Sequence, residues 1–596
     1  MAKTAKKPKA AEPAQVTITY DLFDLPTAQH KAGLAGLLLQ IESMRSRKLP
    51  APAFRWDNEQ SRTKVHIDFA PETTAALFDD LYDAALVEGP PREKPFTKGK
   101  GDSKKDIPWL RRAPMTKRDK KGNETAIEGY VYLELTPALS TLRHYLPAQG
   151  EWVKLWRDLI WQIIREGRKK APFKSRAARK NQLHEGMSPD EGADEVSDGD
   201  DAAKADGSSW SDLEKVRAAS ESGTFALGRL SGALLLGAMD KNAEALPLLS
   251  RIEHSLLLHF WPLTALVFVP RFIDQDGESH LGRRSSKESS PHFAIVMPEV
   301  ADLRGFIQDC PRLLASLGGE MVGFRPRESV IDVPAEGGFA FIDHLARLGP
   351  QRAASSELSL SISAVEYYHL TKVGNNVKFL ATGRIAPRAH LAEDYEAIAG
   401  RAGETPPYRN PLFRRGLMLA LLDERPWFLR FDKLLAEWPH KFFVSTDDPP
   451  RLSWFWADAR KKFQEVISNM PTNPQQSLPD PNDKLAELVY RLVRTYLSVK
   501  AKDKSGIDPD KFKVGDKIQW DNVPGAYKDD RRQIAETLFL EYRSRRDQAF
   551  SDQFVSRLGA VKQFISEDDY ITVSNALMNR CEDVKTLTLL ALSANS

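Results

Sequence analysis

Residues 20–39 read YDLFDLPTAQHKAGLAGLLL, a strand end that passes directly into a helix. Residues 16–20 alternate apolar and polar side chains, which predicts a half-buried strand before it. Pro26 ends that strand, and Thr27 is a suitable N-cap for the helix that follows. Gly33 and Gly36 each cost about 1 kcal/mol relative to alanine inside a helix. The sequence therefore predicts that a neighbouring element packs closely against them.

Length and composition indicate a large globular chain. The 596 residues predict about two to four domains with substantial cores. Two cysteines are too few for a disulfide framework or a cysteine-based zinc cluster. The most apolar stretch, residues 255–270, is too short to span a bilayer, and the N-terminus lacks an apolar signal core. We therefore expect a cytoplasmic protein that does not contact membranes.

Charge and composition divide the chain. Residues 1–180 carry 34 Lys and Arg against 22 Asp and Glu, whereas residues 181–206 carry nine acids and one lysine. The predicted fold class is α+β, with a mixed α/β N-terminal and central region that carries basic loops, followed by an all-α C-terminal helical bundle. The predicted segments are a disordered basic tail (1–15), an N-terminal α+β region with basic loops (16–180), an acidic disordered linker (181–209), a central α+β region (210–469), a proline-rich linker (470–482) and a small-subunit-like helical bundle (483–596).

Basic segments are the strongest functional signal. Residues 92–121, whose glycines and prolines predict a long mobile loop, carry twelve Lys and Arg against four acids, and residues 165–180 carry eight against one. A third group lies in the loop 274–290. Such segments bind duplex DNA by neutralising phosphates, although a merely solubilising surface has the same composition. The candidate DNA-binding residues are Lys98, Lys100, Lys104, Lys105, Arg111, Arg112, Lys117, Arg118, Lys120, Lys121, Arg168, Lys169, Lys170, Lys174, Arg176, Arg283, Arg284 and Lys287.

Aromatic residues are concentrated in residues 407–456, with arginines between them. They predict either a stacking surface for single-stranded nucleic acid or an aromatic core beneath arginine side chains. Several of them fall at helical spacing, which favours the core.

The chain contains no complete catalytic motif. It lacks a P-loop, a GxSxG elbow and an HExxH zinc motif. Asp274 and Asp276 begin a D-x-D-G string, but the residues after it break the spacing of a calcium loop. We therefore predict no catalytic residues, no metal site and no cofactor. A stand-alone, metal-dependent nucleic-acid-processing enzyme stays an alternative, because scattered acids and histidines can converge in space.

The run LPTAQHKAGLAGLL at residues 25–38 resembles the start of the large subunit of type I CRISPR Cascade complexes, in the Myxan-type branch related to subtype I-B. The resemblance implies a subunit that recognises the PAM in duplex DNA, helps to unwind it and stabilises the R-loop without cleaving it. Its implied partners are crRNA, target double-stranded DNA and the Cascade backbone subunits. A helicase-nuclease, or a transposition adaptor in transposon-associated systems, would be recruited in trans.

The same resemblance implies a second hypothesis, which concerns the C-terminal bundle. Related complexes contain small helical subunits, some of them translated from an internal start. Met470 precedes the bundle, so translation from it would give a separate C-terminal fragment. The candidate strand contacts of the bundle are Lys528, Arg531, Arg532, Arg543, Arg545 and Arg546. A protein-binding scaffold without DNA affinity is the remaining alternative.

Overall fold

The structure is a computed structural model that divides the chain into two compact units. Unit 1 comprises Met1–Phe268, His292–Ser329 and His344–Ala389, and unit 2 comprises Val269–Pro291, Val330–Asp343 and His390–Ser596. The residues that the structure describes are 15–89, 91–95, 97–98, 105–106, 109–118, 124–146, 150–162, 200–232, 234–237, 246–285, 288, 290–322, 325–348, 361–373, 376–401, 404–444, 454–470, 480–514 and 517–595.

The described helices are most frequent in the C-terminal part of the chain. They are α1 Ala28–Ser46, α2 Pro71–Leu81, α3 Ser140–Tyr145, α4 Gly150–Gln162, α5 Asp200–Glu221, α6 Ile252–Leu257, α7 Leu303–Ser316, α8 Glu336–Arg347, α9 Leu391–Ala399, α10 Pro411–Leu422, α11 Phe431–Glu437, α12 Phe455–Ser468, α13 Pro481–Ser505, α14 Gly525–Arg543, α15 Asp547–Leu558, α16 Glu567–Asn579 and α17 Cys581–Ala594.

The described strands lie mainly before residue 390, which confirms the predicted α+β class. They are β1 Val16–Asp21, β2 Ala53–Trp56, β3 Lys64–Phe69, β4 Ala84–Glu88, β5 Thr97–Lys98, β6 Lys105–Asp106, β7 Arg111–Arg118, β8 Glu124–Val131, β9 Leu133–Pro137, β10 Leu227–Arg229, β11 Leu249–Arg251, β12 Leu266–Ile273, β13 Ser279–Leu281, β14 His292–Val300, β15 Met321–Val322, β16 Arg325–Pro326, β17 Val330–Ile331, β18 Ile362–Val373, β19 Asn376–Ile385, β20 Lys513–Val514 and β21 Lys517–Ile518.

Helix α1 is the central element of unit 1. The Thr27 side chain accepts a hydrogen bond from the His30 backbone N–H, so it caps the helix as predicted. A Cβ on Gly33 would lie 2.8 Å from the carbonyl carbon of Leu257, and one on Gly36 would lie 2.8 Å from that of Phe260. These glycines therefore allow a backbone segment to pass directly against the helix, which confirms the predicted close packing.

Two antiparallel sheets of three or more strands lie in unit 1, in addition to two-stranded ones such as β4-β9 and β7-β8. The first has the order β1-β3-β2. In the second, β14 pairs with residues 266–268 of β12 on one side and with β18 on the other, and β18 pairs with β19. Most residues of β14 are buried, as its continuous apolar sequence requires. Trp156 of α4 anchors the same core, because its indole N–H donates to the carbonyls of Pro262 (3.0 Å) and Ala265 (2.9 Å).

The large hydrophobic core of unit 2 draws on helices α10 to α17, and a smaller cluster forms around Ala501, Val523 and Tyr527. Phe463 of α12 stacks on Tyr490 of α13 with ring centroids 4.6 Å apart. Phe443 also packs against Phe539 of α14. The predicted boundary at 470–482 stays a prediction, but residues on both sides of it share this core. Helix α13 begins at Pro481, and the Asp480 side chain accepts from the Asn482 N–H.

A buried ion cluster lies within unit 2. The Arg414 guanidinium contacts the Asp332 carboxylate at 2.6 Å, and Arg271 reaches its other oxygen at 3.5 Å. Glu336 accepts hydrogen bonds from the backbone N–H groups of Asp332 and Val333. Burial raises the pKa of Glu336 to about 7, and the nearby Asp332 carboxylate acts in the same direction. Glu336 is therefore a buried acid that titrates near neutrality.

The structure differs from two predictions about irregular segments. Residues 200–209, which their composition predicts to be disordered, form the start of α5. Alanines favour helix, and acidic residues in the first turn complement the helix dipole. Residues 111–118, predicted as part of a long loop, form strand β7. Among the described helices, none combines the length and apolarity needed to cross a bilayer.

Candidate nucleic-acid interface

The hairpin β7–β8 carries the exposed basic residues of unit 1. Its eight-residue strands pair antiparallel, from Arg111 opposite Val131 to Arg118 opposite Glu124. Arg112 also lies 3.7 Å from Glu128 on the opposite strand, a diagonal pair of unlike charge that favours this register. The sequence predicts a loop here because the charges and Pro114 obscure the alternation of the strand.

Two aromatic side chains, Trp109 and Tyr130, lie beside the arginines of the hairpin. Trp109 is 45% exposed, and its ring packs edge-on against Tyr130. The Arg112 guanidinium lies 5.7 Å from the Trp109 ring centroid and 5.0 Å from that of Tyr130. It also donates to the Tyr130 hydroxyl at 3.3 Å. An exposed cation is thus held beside an exposed indole, a combination that suits phosphates and bases.

Arg111 forms an exposed ion pair with Glu88, with 2.7 Å between Nη2 and Oε2. The hydrogen bond from Arg111 keeps the pKa of Glu88 below its ordinary value. Exposed ion pairs contribute little to stability because solvent screens them, so a phosphate can replace the carboxylate at little cost. Arg111 is therefore available to an anionic ligand.

Gly129 allows close packing at the base of the β7–β8 hairpin. A Cβ on Gly129 would lie 2.6 Å from the sulfur of Met115 and 2.9 Å from Cβ of Pro91. Next to it, Arg92 and Tyr130 exchange both backbone hydrogen bonds, at 2.9 and 2.8 Å. These interactions hold the hairpin against residues 91–95, so its basic residues are presented by ordered backbone.

The other predicted DNA-binding residues of unit 1 are only partly described. Lys98 and Lys105 face each other in the short ladder β5–β6, and Lys117 and Arg118 end β7. The remaining candidates lie outside the described residues; they are Lys100, Lys104, Lys120, Lys121, Arg168, Lys169, Lys170, Lys174 and Arg176.

The loop 274–290 belongs to unit 2 and is organised by Asp274. Its carboxylate accepts from the N–H groups of Asp276 and Glu278 and contacts Nε2 of His280 at 2.8 Å. Ligand atoms of Asp274, Glu278 and His280 lie within 4.8 Å of one another, but the turn that Asp274 closes accounts for this grouping. Arg283 and Arg284 follow β13 and are exposed, and Lys287 lies outside the described residues.

The predicted strand contacts of the C-terminal bundle differ in how exposed they are. Arg532 and Arg546 are exposed, and Lys528 and Arg545 are half-buried. Arg543 instead donates to the backbone carbonyls of Ala436 and Trp438. Arg531 is only 9% exposed, and its contact with a strand stays a prediction. Sequence position on an amphipathic helix does not reveal that the Arg531 guanidinium donates to the side chain of Asn595, which directly follows α17.

The aromatic segment is mostly core, as its helical spacing favours. The buried residues are Tyr408, Phe413, Phe428, Phe431, Phe442, Phe443 and Phe455. Trp427 and Trp438 are partly buried, whereas Trp454 and Trp456 are exposed, at 47% and 38%. The Arg460 guanidinium lies 4.9 Å from the Trp456 ring centroid. The sequence analysis did not single out Arg460, although its i, i+4 spacing from Trp456 on a helix is the signal that identifies the pair.

An α+β chain that presents arginines beside exposed tryptophans has the features of a subunit of a nucleoprotein complex. The model of the Type I-B CRISPR Cas8b N-terminal domain matches residues 58–189 and 193–354, and that of the Type I-B CRISPR Cas8b C-terminal domain matches residues 362–595. The chain therefore belongs to the Cas8b family, whose members are large subunits of type I-B Cascade. No curated protein matches it.

Proposed function

We propose that this large subunit binds duplex DNA through the β7–β8 hairpin, recognises the PAM, helps to open the duplex and stabilises the R-loop. The observation that carries the proposal is the group formed by the exposed Arg111 and Arg112 of β7, the exposed Trp109 just before that strand and the partly buried Tyr130 of β8. The arginines neutralise phosphates, and the indole supplies a surface for an unstacked base. Guide RNA pairing then reads the rest of the target.

The subunit acts without cleaving DNA in this proposal. It assembles with crRNA and the Cascade backbone subunits, and a helicase-nuclease or a transposition adaptor acts in trans. The absence of any complete P-loop, nucleophile elbow or zinc motif in the sequence supports this division of labour. Divalent-metal-dependent cleavage by the purified chain would instead favour the alternative of a nucleic-acid-processing enzyme.

Replacing Arg111 and Arg112 by alanine tests the hairpin. We expect weaker binding to duplexes of every sequence, because interactions with phosphate carry no sequence information. The slope of log Kobs against log salt should become shallower by about 0.9 for each phosphate that the variant no longer neutralises. Binding is measured by fluorescence anisotropy of a labelled duplex at several salt concentrations, with the full chain in its complex.

The matched control is Lys215→Ala with Arg217→Ala, which removes the same charge from exposed positions of α5. The control should keep the wild-type slope. If the hairpin variant also keeps that slope, the hairpin does not bind the duplex.

We further propose an internal translation start at Met470. A fragment that begins there retains α13 to α17, but it loses the stacking of Phe463 on Tyr490 and of Phe443 against Phe539. We therefore expect the fragment to remain bound to the complex, where a partner covers this apolar surface. It is a candidate small subunit of the same assembly.

Mass spectrometry of the purified complex should show a species that starts near Met470, and Met470→Ile should remove it. Met578→Ile is the control, because Met578 is 84% exposed and its replacement leaves the core intact. A complex without any such species would rule out the internal start.

A further inference from the structure

Unit 2 contains an open groove between helix α15 and the junction of α16 with α17. Its volume is about 1060 Å³. One wall is a single face of α15, since Asp547, Ser551 and Val555 follow one another at intervals of four residues. The other wall is residues 577–583, where α16 ends at Asn579 and α17 begins at Cys581. Both walls are helical, so the groove offers no strand edge to a partner.

Apolar side chains line this groove and stay accessible to solvent. Met578 is 84% exposed and Val555 is 51% exposed, and both lie beside the buried Leu577. Ile571 is also exposed, and it lies seven residues before Met578, so the two share one face of α16. Adjacent exposed apolar side chains that are rimmed by polar ones mark an interaction site more often than a plain solvated surface.

The rim of the groove is negatively charged. Its lining includes four carboxylates against one guanidinium, and that guanidinium, Arg580, is paired with Asp583 at 2.6 Å. Asp547, Asp552 and Glu582 are exposed, and no Lys or Arg of the described residues forms an ion pair with them. The helix dipole favours Asp547 and Glu582 in the first turns of their helices, but it does not account for Asp552 in the middle of α15.

The charge of the rim determines which occupant fits. Carboxylates repel phosphate, so the groove does not suit a nucleic-acid backbone. The same groove on a second copy would bring like charges together, which excludes an isologous contact. An amphipathic helix places its apolar stripe into a groove between helices in a recurring mode of recognition. Lys and Arg at the margins of such a helix face the carboxylates, and their long stems cover apolar surface.

We propose that this groove, here called the acidic groove, docks a basic amphipathic helix of a partner protein. Apolar side chains of that helix pack on Val555 and Met578, and its Lys and Arg side chains face Asp547, Asp552 and Glu582. The proposal goes beyond the proposed function, because it concerns a protein partner and involves no nucleic acid.

The test uses a labelled helical peptide of about 14 residues, with leucines at helical spacing on one face and lysines on both sides of them. Its binding to the purified full chain is measured by fluorescence anisotropy. Asp547→Asn with Glu582→Gln should weaken binding about fivefold, because two exposed charge pairs are lost. Met578→Ser should weaken it about tenfold, because less apolar surface is buried. Added salt should weaken binding to the wild type more than to the carboxylate variant.

Glu567→Gln with Asp568→Asn is the matched control, because it removes the same charge from exposed positions at the opposite end of α16. The control should bind the peptide as the wild type does. Equal affinity of the carboxylate variant and the wild type, or an equal weakening in the control, would overturn the acidic groove.

Two further probes define the chemistry of the partner. A peptide with glutamates in place of the lysines should bind at least about tenfold more weakly, and equal binding of the two peptides would overturn the basic partner. Affinity for labelled (dT)20 should be the same in the wild type and in the Asp547→Asn, Glu582→Gln variant. A change in affinity for (dT)20 without a change for the peptide would reject the protein partner in favour of nucleic acid.

Discussion

Replacing Gly36 by alanine should lower the free energy of unfolding of unit 1 by about 3 kcal/mol. The new Cβ would overlap the carbonyl group of Phe260, 2.8 Å from its carbon atom. Because the clashing atoms belong to the backbone, no side-chain rotation relieves the overlap. Helix α1 or the segment against it must therefore move, and the packing of the surrounding core weakens.

Urea unfolding followed by circular dichroism measures this effect as a lower midpoint. Gly150→Ala is the matched control, since Gly150 lies at the start of α4 and a Cβ there meets nothing within 4 Å. The control should unfold at or slightly above the wild-type midpoint, because alanine favours helix. Equal midpoints for the two variants would show that α1 does not pack closely at Gly36.

The stability of unit 2 should fall as the pH rises from about 4.5 to about 7. Burial raises the pKa of Glu336 from its ordinary value of 4.5 to about 7 in the folded chain. Folding therefore favours the protonated acid. Its contribution is fully present below the unfolded pKa and is lost as the pH rises through the folded pKa. A shift of this size corresponds to about 3 kcal/mol.

Glu336→Gln should remove this pH dependence, because an amide does not titrate. Urea midpoints of unit 2 measured between pH 4.5 and 8 provide the comparison. Glu567→Gln, at an exposed position of the first turn of α16, is the matched control and should retain the wild-type profile. A wild-type profile that stays flat, or rises with pH, would contradict a buried protonated Glu336.

The sequence predicts the parts of the fold that local physics determines. Thr27 caps α1 and the glycines at 33 and 36 pack against backbone, because capping and close approach leave signatures within a few residues. The aromatic core of residues 407–456 is also predictable, since helical spacing indicates which side chains face inward.

The candidate sites depend on interactions between residues that are distant in sequence. Strand β7 is held by partners in β8 and by the Arg111–Glu88 pair, which composition alone does not reveal. Arg460 and Arg531 are 71 positions apart, yet Arg460 donates to the Ala594 carbonyl and Arg531 to the side chain of Asn595 at the end of α17. Basic composition cannot distinguish the exposed Arg532 from the buried Arg531 beside it.

Co-purification of the chain from its native gene neighbourhood, followed by sequencing of bound RNA, tests the central claim most directly. We expect a stoichiometric crRNA together with Cascade backbone subunits, since the proposed function requires the guide-bearing complex. A clean monomer without RNA would contradict the proposed function, whatever the outcome of the tests on individual residues.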